Sequence, residues 1–421
     1  MKIILLILLS SHCFAYDLSV YLKDPNNKVA KDFSIPKELY PNVKFWFDIY
    51  TKHDSKVAVI HDTDNLSIVY SAIDTSDVTN KLLNRHTKYA LVKKYRKQYL
   101  SYYKDALKKL SKGKCSETYC KKVLDSLSKA KIKIPRNRRK RKTLFLMYRG
   151  NIRIQTGQKD KIKRGLHNIN RYGTPIERIF KAHKAPKELL AIALLESSFN
   201  VNAKSKVNAT GPWQFMNYIG KHFMNIDRYQ DQRKNAFLST SAALHLLRQN
   251  KMILKHWDLA INAYNSGTKN ILKGIRYLKK KKGIKNPRVH HIVRLYNSAA
   301  YQFAGKNFYS EFLALAHIIA YRQKIYPEEK IFNGNALHAY ITKCSLDLNK
   351  LLKTIKSSDF KMSIINNHLS KRIRKFPKGT IVFSDVPLTK RRFYKVKYSD
   401  FKKYYPKKMY KKVRSYKCST R

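Results

Sequence analysis

Two short apolar runs, KVAVI at 56–60 and LSIVYSAI at 66–73, flank the polar stretch HDTDN, a pattern that predicts a β-hairpin. The period then lengthens. From Thr79 to Leu110, TNKLLNRHTKYALVKKYRKQYLSYYKDALKKL carries Leu, Tyr and Val at helical spacing with Lys and Arg on the other face, and Gly113 stops it. A shorter helix is expected after Cys120, and the basic run PRNRRKRK at 135–142 reads as a solvated linker or a contact for acidic polymer, marking a boundary. From about 150 to 325 the periodicity is helical throughout. Pro186 sits at a helix start and KELLAIALLESS continues from it. Further helices are expected near 235–250, 258–265, 288–303 and 309–323, with Gly267 ending the second of these and Thr268 capping the next. After residue 335, NALHAYITK alternates like a strand, SLDLNKLLKTIK and KMSIINNHL like short helices, and GTIVFSDVP like a closing strand. The fold class expected is mainly α, with a basic α+β region at 16–150, a helical domain at 151–325 and a small basic α+β module at 335–421.

Charge narrows the partners. Lys and Arg number 89 against 27 Asp and Glu, a formal net charge of +62 in 421 residues, so the protein is drawn to polyanions: nucleic acid, anionic lipid or an acidic wall polymer. The interleaved Tyr and Lys of 79–110 would suit nucleic acid, but such a stripe is more often a packed face with a solvated back, and that is the expected reading here. The N-terminus favours the wall. MKIILLILLSSHCFAYD has a Lys, an apolar core and a small residue at Ala15, the layout of a signal peptide over 1–15. Its apolar run is too short to span a membrane. Localisation is therefore expected to be periplasmic or secreted, with no nucleic acid partner and with peripheral association to the envelope membrane allowed by the charge.

Cys115, Cys120, Cys344 and Cys418 remain in the mature chain. An even count in an oxidising compartment favours disulfides, and four thiols allow three connectivities. Pairing close in sequence would join Cys115 to Cys120, and Cys344 to Cys418 would tie the tail to its module. The spacing is poor for zinc, and HExxH, Gly-rich phosphate loops and serine elbows are missing from the sequence. Neither a metal nor any other cofactor is expected.

The candidate chemistry centres on LLAIALLESSF at 189–199. A helix puts Leu189, Ile192, Ala193 and Glu196 on one face. Apolar surroundings disfavour a charged carboxylate, and the negative end of the helix dipole pushes the same way. Both keep a proton on Glu196, as a general acid near neutral pH requires. A helix that simply surfaces at its end would also place a glutamate there.

The motifs downstream decide between these readings. ESSF at 196–199, GPWQFM at 211–216 and AYNSG at 263–267, in this order, resemble the soluble lytic transglycosylase family with its goose-type, lysozyme-like helical catalytic domain. IRIQTGQKDKIKRGLHN at 152–168, APKELLAIALLESSFNVNAKSKV at 185–207 and STSAALHLL at 239–247 are similar to its membrane-bound transglycosylase D branch. The resemblance implies peptidoglycan glycan strands as substrate and non-hydrolytic cleavage of the MurNAc–GlcNAc β-1,4 bond to 1,6-anhydro-MurNAc ends. It maps the single acid and base onto Glu196 and substrate contacts onto Ser197, Gln214, Tyr264 and Asn265. Gln214 suits sugar hydroxyl or acetamido groups, Tyr264 could direct its hydroxyl at Glu196, and Asn265 could hold the cleft loop or an N-acetyl group. Phe199 and Met216 read as packing, and Trp213 as either a sugar platform or core. Asn208 stands where the family usually has Gly, a turn Asn tolerates. The final module resembles LysM-like glycan-binding repeats.

A true muramidase would need a second carboxylate. Asp227, Asp231 and Asp258 are the nearby acids in sequence; Asp231 reads better as a cap or partner of Arg233, and Asp258 as a helix start. A catalytically silent wall-binding protein or an exported nucleic-acid binder would explain the charge without chemistry.

Overall fold

The computed structural model describes residues 17–113, 115–298, 301–329, 337–356 and 361–418. The signal-peptide assignment at 1–15 lies outside them. Among the described residues no helix is long and apolar enough to cross a membrane.

The predicted hairpin forms β1 (Val57–Asp62) and β2 (Val69–Asp74), antiparallel. A third strand, β3 (Ile152–Thr156), pairs with the other edge of β1 and makes the order β2-β1-β3. This strand lies in the stretch whose periodicity suggested only helix: five residues are too few to display an alternation, and pairing with β1 supplies what local pattern does not. β1 then divides two cores. Val59 on one face belongs to the large core of the helical domain. Ala58 and Ile60 on the other face meet Tyr103, Leu107, Val123, Leu127 and Phe145 in a smaller core.

That smaller core is built by helices Arg85–Ser111, Thr118–Lys129 and Arg138–Asn151. The long helix begins later than its apolar pattern, at Asn84, whose side chain accepts from the Thr87 amide at 2.8 Å. Its fully buried apolar positions, Tyr103, Ala106, Leu107 and Leu110, all lie in the C-terminal half. The basic run expected as a linker instead enters the helix Arg138–Asn151, capped by Asn137.

Residues Tyr40–Thr51 form a helix that packs along Phe303–Ala320, with Trp46 Nε1 donating to Asn307 Oδ1 at 3.0 Å. The N-terminal segment thus contributes to the large core together with helices Lys159–Asn170, Gly173–His183, Leu190–Ser197, Ala236–Leu254 and Trp257–Ser266. The next helix, Thr268–Lys282, corrects one expectation: Gly267 occupies the cap, and Thr268 is the first helical residue, its hydroxyl donating to Asn250 Oδ1.

The C-terminal module follows the expected β-α-α-β order, with β4 (His338–Thr342), helices Leu348–Thr354 and Met362–Ile365, and β5 (Ile381–Ser384). Its basic tail adds β6 (Phe393–Val396), giving an antiparallel sheet ordered β5-β4-β6. The module is docked on the helical domain. Asn235 Nδ2 donates to the Ile365 carbonyl at 2.8 Å, the Asp231 amide to the His368 carbonyl at 2.8 Å, and His245 Nε2 lies 2.8 Å from the Phe401 carbonyl.

The disulfides join Cys115 to Cys120 and Cys344 to Cys418, one of the three connectivities the sequence left open. The second closes a loop of 74 residues. By loop-closure entropy it contributes roughly 4.5 kcal/mol. Cys418→Ser is therefore expected to loosen the C-terminal module selectively, read as faster amide exchange over β4–β6 with the Leu190–Ser197 helix unaffected.

Candidate active site

The helix carrying Glu196 is entered through a tight turn at Lys187–Leu189 after Pro186 and runs from Leu190 to Ser197. Its end is unusually well held. Ser198 (φ 53°) and Phe199 (φ 51°) both take left-handed backbone, the Phe199 amide reaches back to the Ala193 carbonyl at 3.1 Å, and Asn168 Nδ2 donates to the Ser198 carbonyl at 3.0 Å. The Phe199 ring, 1% exposed, locks this turn into the core beside Tyr172. Helix Lys159–Asn170 crosses at Gly165, where a Cβ would stand 2.3 Å from a Leu194 methyl carbon and 3.1 Å from Ser198 Cα, so the two segments meet at close range there.

Glu196 is half-buried, reachable from one side, while the protein around its carboxyl lifts its pKa from 4.5 to about 8. Burial is the larger cause and the charge of Glu311 the second. No hydrogen bond or ion pair to the Glu196 carboxyl is found among the described residues. The acid expected from sequence is thus a protonated group at neutral pH with its donor position unspent.

The loop GPWQF forms one wall. Gly211 adopts φ +81° with its α-hydrogen against the Arg233 carbonyl, and Gln214 adopts φ 48°. Trp213 is fully buried and donates from Nε1 to Thr240 Oγ1 at 2.9 Å, which rules out a sugar-stacking role and makes it core. Gln214 stands at the surface of the loop, its Nε2 donating to the Gly211 carbonyl at 2.8 Å. Its Oε1 has no protein donor among the described residues.

Ser197 and Tyr264 tie this wall to the acid's helix and to the helix Trp257–Ser266. Ser197 Oγ donates to the Pro212 carbonyl at 2.9 Å and accepts from the Asn200 amide. The Tyr264 hydroxyl donates to the Trp213 carbonyl at 2.7 Å, so its proton is directed there and not at Glu196. Burial, with the Glu196 charge adding to it, raises the Tyr264 phenol well above its usual value and keeps it a neutral donor. Asn265 is exposed with no protein hydrogen bond among the described residues, leaving both ends of its amide available.

The other acids are structural. Asp231 binds Arg233 in a fork, Oδ1 to Nε at 3.0 Å and Oδ2 to Nη2 at 2.8 Å. Asp258 accepts from Arg288 Nε and the Val289 amide, both at 2.9 Å. Asp227 closes a turn at the Tyr229 and Gln230 amides. Asn208 takes φ 62°, the left-handed turn expected of it.

Three contributors escaped the sequence reading. Arg233, 7% exposed, donates from Nη1 to the carbonyls of Asn208 and Phe215, both at 3.2 Å, and so holds the two ends of the cleft loop together. Arg233→Lys keeps the charge but loses the fork. It is expected to cut activity about 10²-fold by displacing Gln214, with a fall in melting temperature; unchanged turnover would show the loop to be self-supporting. Glu311 and Tyr50 are the other two. The signal for Glu311 was present in FYSEFLALA at 308–316, a lone carboxyl inside an apolar helix, the same cue that marked Glu196.

Among the described residues no group of three His, Cys, Asp or Glu side chains is placed to hold a metal ion. A cavity of about 500 Å³ lies behind the acid's helix, floored by Ile176, Phe180 and Leu190 and rimmed by Lys181, Lys187 and Arg322. It includes none of the residues that surround the Glu196 carboxyl.

The site lies within a recognisable sequence unit. Residues 174–287 match the family model described as the transglycosylase SLT domain. Over 128 residues the chain is 34% identical to the membrane-bound lytic murein transglycosylase D of Escherichia coli strain K12, covering 28% of each chain. The protein of the same name from Escherichia coli O6:H1 matches to the same extent. The similarity therefore spans 28% of the length of these relatives. Glu196, Ser197, Gln214, Tyr264 and Asn265 fall inside the matched segment, and Tyr50 and Glu311 outside it. Over residues 174–287 the chain is thus similar to the transglycosylase SLT domain.

Proposed function

We propose that this protein is an exported peptidoglycan lytic transglycosylase acting in the cell envelope, with Glu196 as its single general acid and base. The observation that carries the reading is the state of that one side chain: a proton-holding carboxyl, open on one side, set between the GPWQF loop and the AYNSG helix. The domain match and the relatives' description as murein transglycosylases support the substrate.

Glu196 gives its proton to the glycosidic oxygen of a MurNAc–GlcNAc β-1,4 bond as the C1–O4 bond breaks through an oxocarbenium-like state. The resulting carboxylate then takes the proton of the muramic C6 hydroxyl, and O6 closes on C1 to form the 1,6-anhydro ring. The acid is regenerated and no water is consumed. Gln214, through an Oε1 with no protein donor among the described residues, and Asn265, through an exposed amide, would read hydroxyl and N-acetyl groups. Ser197 and Tyr264 hold the cleft walls at the right spacing through Pro212 and Trp213. The charge of +62 supplies long-range attraction to an acidic wall.

Mass analysis of soluble products from purified sacculi tests this. Anhydro-ended muropeptides are expected from the wild type and none from Glu196→Gln. Wall binding without release, unchanged in that variant, would replace the enzyme by a tethering protein.

A further inference from the structure

Outside the matched domain a second carboxyl stands on a helix packed against that of the acid, and a residue from the other end of the chain binds it. Glu311 stands on the helix Phe303–Ala320, which packs along the helix of Glu196, and its Oε2 accepts a 3.0 Å hydrogen bond from Tyr50 Oη. Tyr50 is 1% exposed and has little freedom: its ring stacks on Trp46, and its carbonyl accepts from the Tyr326 hydroxyl. Trp46 in turn is bonded to Asn307, one turn before Glu311 on the same helix. A buried tyrosine on the N-terminal helix therefore clamps a second carboxyl whose charge acts on Glu196.

We propose that Glu311, clamped by Tyr50, is a positioning residue for Glu196: its negative charge keeps the proton on Glu196 before bond cleavage and strengthens the Glu196 carboxylate as the base that follows. This rests on the function proposed above.

The charged and titratable groups facing the pair set the direction. Tyr50 from helix Tyr40–Thr51 and Arg153 from β3 both favour an ionised Glu311, against its burial, which raises it to about 7. Glu196 from helix Leu190–Ser197 has no such partner among the described residues, and Tyr264 from helix Trp257–Ser266 spends its proton on Trp213. As pH rises the pair gives up its first proton from Glu311, and the one that remains sits on Glu196. Loss of that proton to the leaving oxygen leaves two carboxylates on helices that pack against each other. The oxocarbenium charge relieves their repulsion while it lasts, and as it fades Glu196 is driven to take the C6 proton.

The test is the pH profile of kcat/KM on soluble glycan chains, together with carbon NMR titration of the glutamate carboxyls, which needs no turnover. In Glu311→Gln the basic limb near pH 8 should move down by about one unit, with roughly tenfold loss of activity on its high-pH side. Tyr50→Phe leaves Glu311 protonated to higher pH and should move the limb the same way by less, with anhydro ends retained in both. An unmoved limb and an unmoved Glu196 titration in folded Glu311→Gln overturn the proposal. So do reducing ends in the wild type that vanish in Glu311→Gln, which would make Glu311 a base for water. If Glu311→Gln does not fold, Tyr50→Phe decides. A wild type that titrates as described but cleaves no glycan refutes the proposed function and leaves the coupling standing.

Discussion

Glu196→Gln should lower anhydro-muropeptide release by about 10³-fold or more and at the same time raise the melting temperature. The rate loss follows because an amide neither donates a proton to the leaving oxygen nor accepts one from the C6 hydroxyl, and general acid and base catalysis are each worth about 10²–10⁴. The gain in stability follows from linkage. Glu196 titrates at its ordinary value of 4.5 in the unfolded chain and at about 8 in the folded protein. The folded state binds the proton more tightly, so the associated stability is complete below pH 4.5 and is lost progressively as pH rises to about 8. Glutamine has nothing to lose. The two proteins should therefore melt together near pH 4, and the variant should melt later by a few degrees near pH 8. Calorimetry across that interval checks it, and a gap that narrows with rising pH would show that Glu196 is not buried as described.

The second large effect is expected at Gly211. A Cβ there would stand 1.8 Å from the Arg233 carbonyl oxygen and 2.6 Å from its carbon, both backbone atoms, at a φ of +81° that side chains rarely adopt. No rotamer relieves such a contact. Gly211→Ala must move either the GPWQF loop or the segment Asp231–Asn235, and that segment is pinned on its other side by the Asp231–His368 and Asn235–Ile365 hydrogen bonds to the C-terminal module. The loop therefore yields, at a cost of about 3 kcal/mol or more. Gln214 moves with it, and a displacement near 1 Å is worth about 10²-fold in rate. Limited proteolysis within 203–216 and residual activity read out both effects; wild-type behaviour in each would mean that the turn has another low-energy form.

Glu196 was legible because its cue is local: an ionisable residue placed by helical spacing on an apolar face. Gln214, Tyr264 and Asn265 were legible through the motifs GPWQFM and AYNSG, whose order is written in the chain. The uses of their polar atoms were not legible. That Tyr264 donates to Trp213, and that Ser197 bonds Pro212, depends on distances between loops remote in sequence. Trp213 is equally apolar in a cleft or a core, and only the position of Thr240 beside its indole nitrogen decides for the core.

Glu311 shows the same limit more sharply. Its local cue matches that of Glu196, yet a single apolar helix does not say which other helix it will face, and its partner Tyr50 lies 261 residues away. In the same way β3 and β6 are strands because β1 and β4 offer free edges, not because five or four residues declare a period.

By itself the sequence determined the mainly helical character of residues 150–325, the place of Glu196 on an apolar helix face, and the field of positive charge that surrounds the fold, since each follows from near-neighbour spacing or from composition. Tertiary structure alone decided that a second carboxyl stands behind the first, that the cleft loop hangs on Arg233, and that the C-terminal module braces the segment beneath it. Those are contacts between distant parts of the chain, and they exist only once burial has brought their owners together.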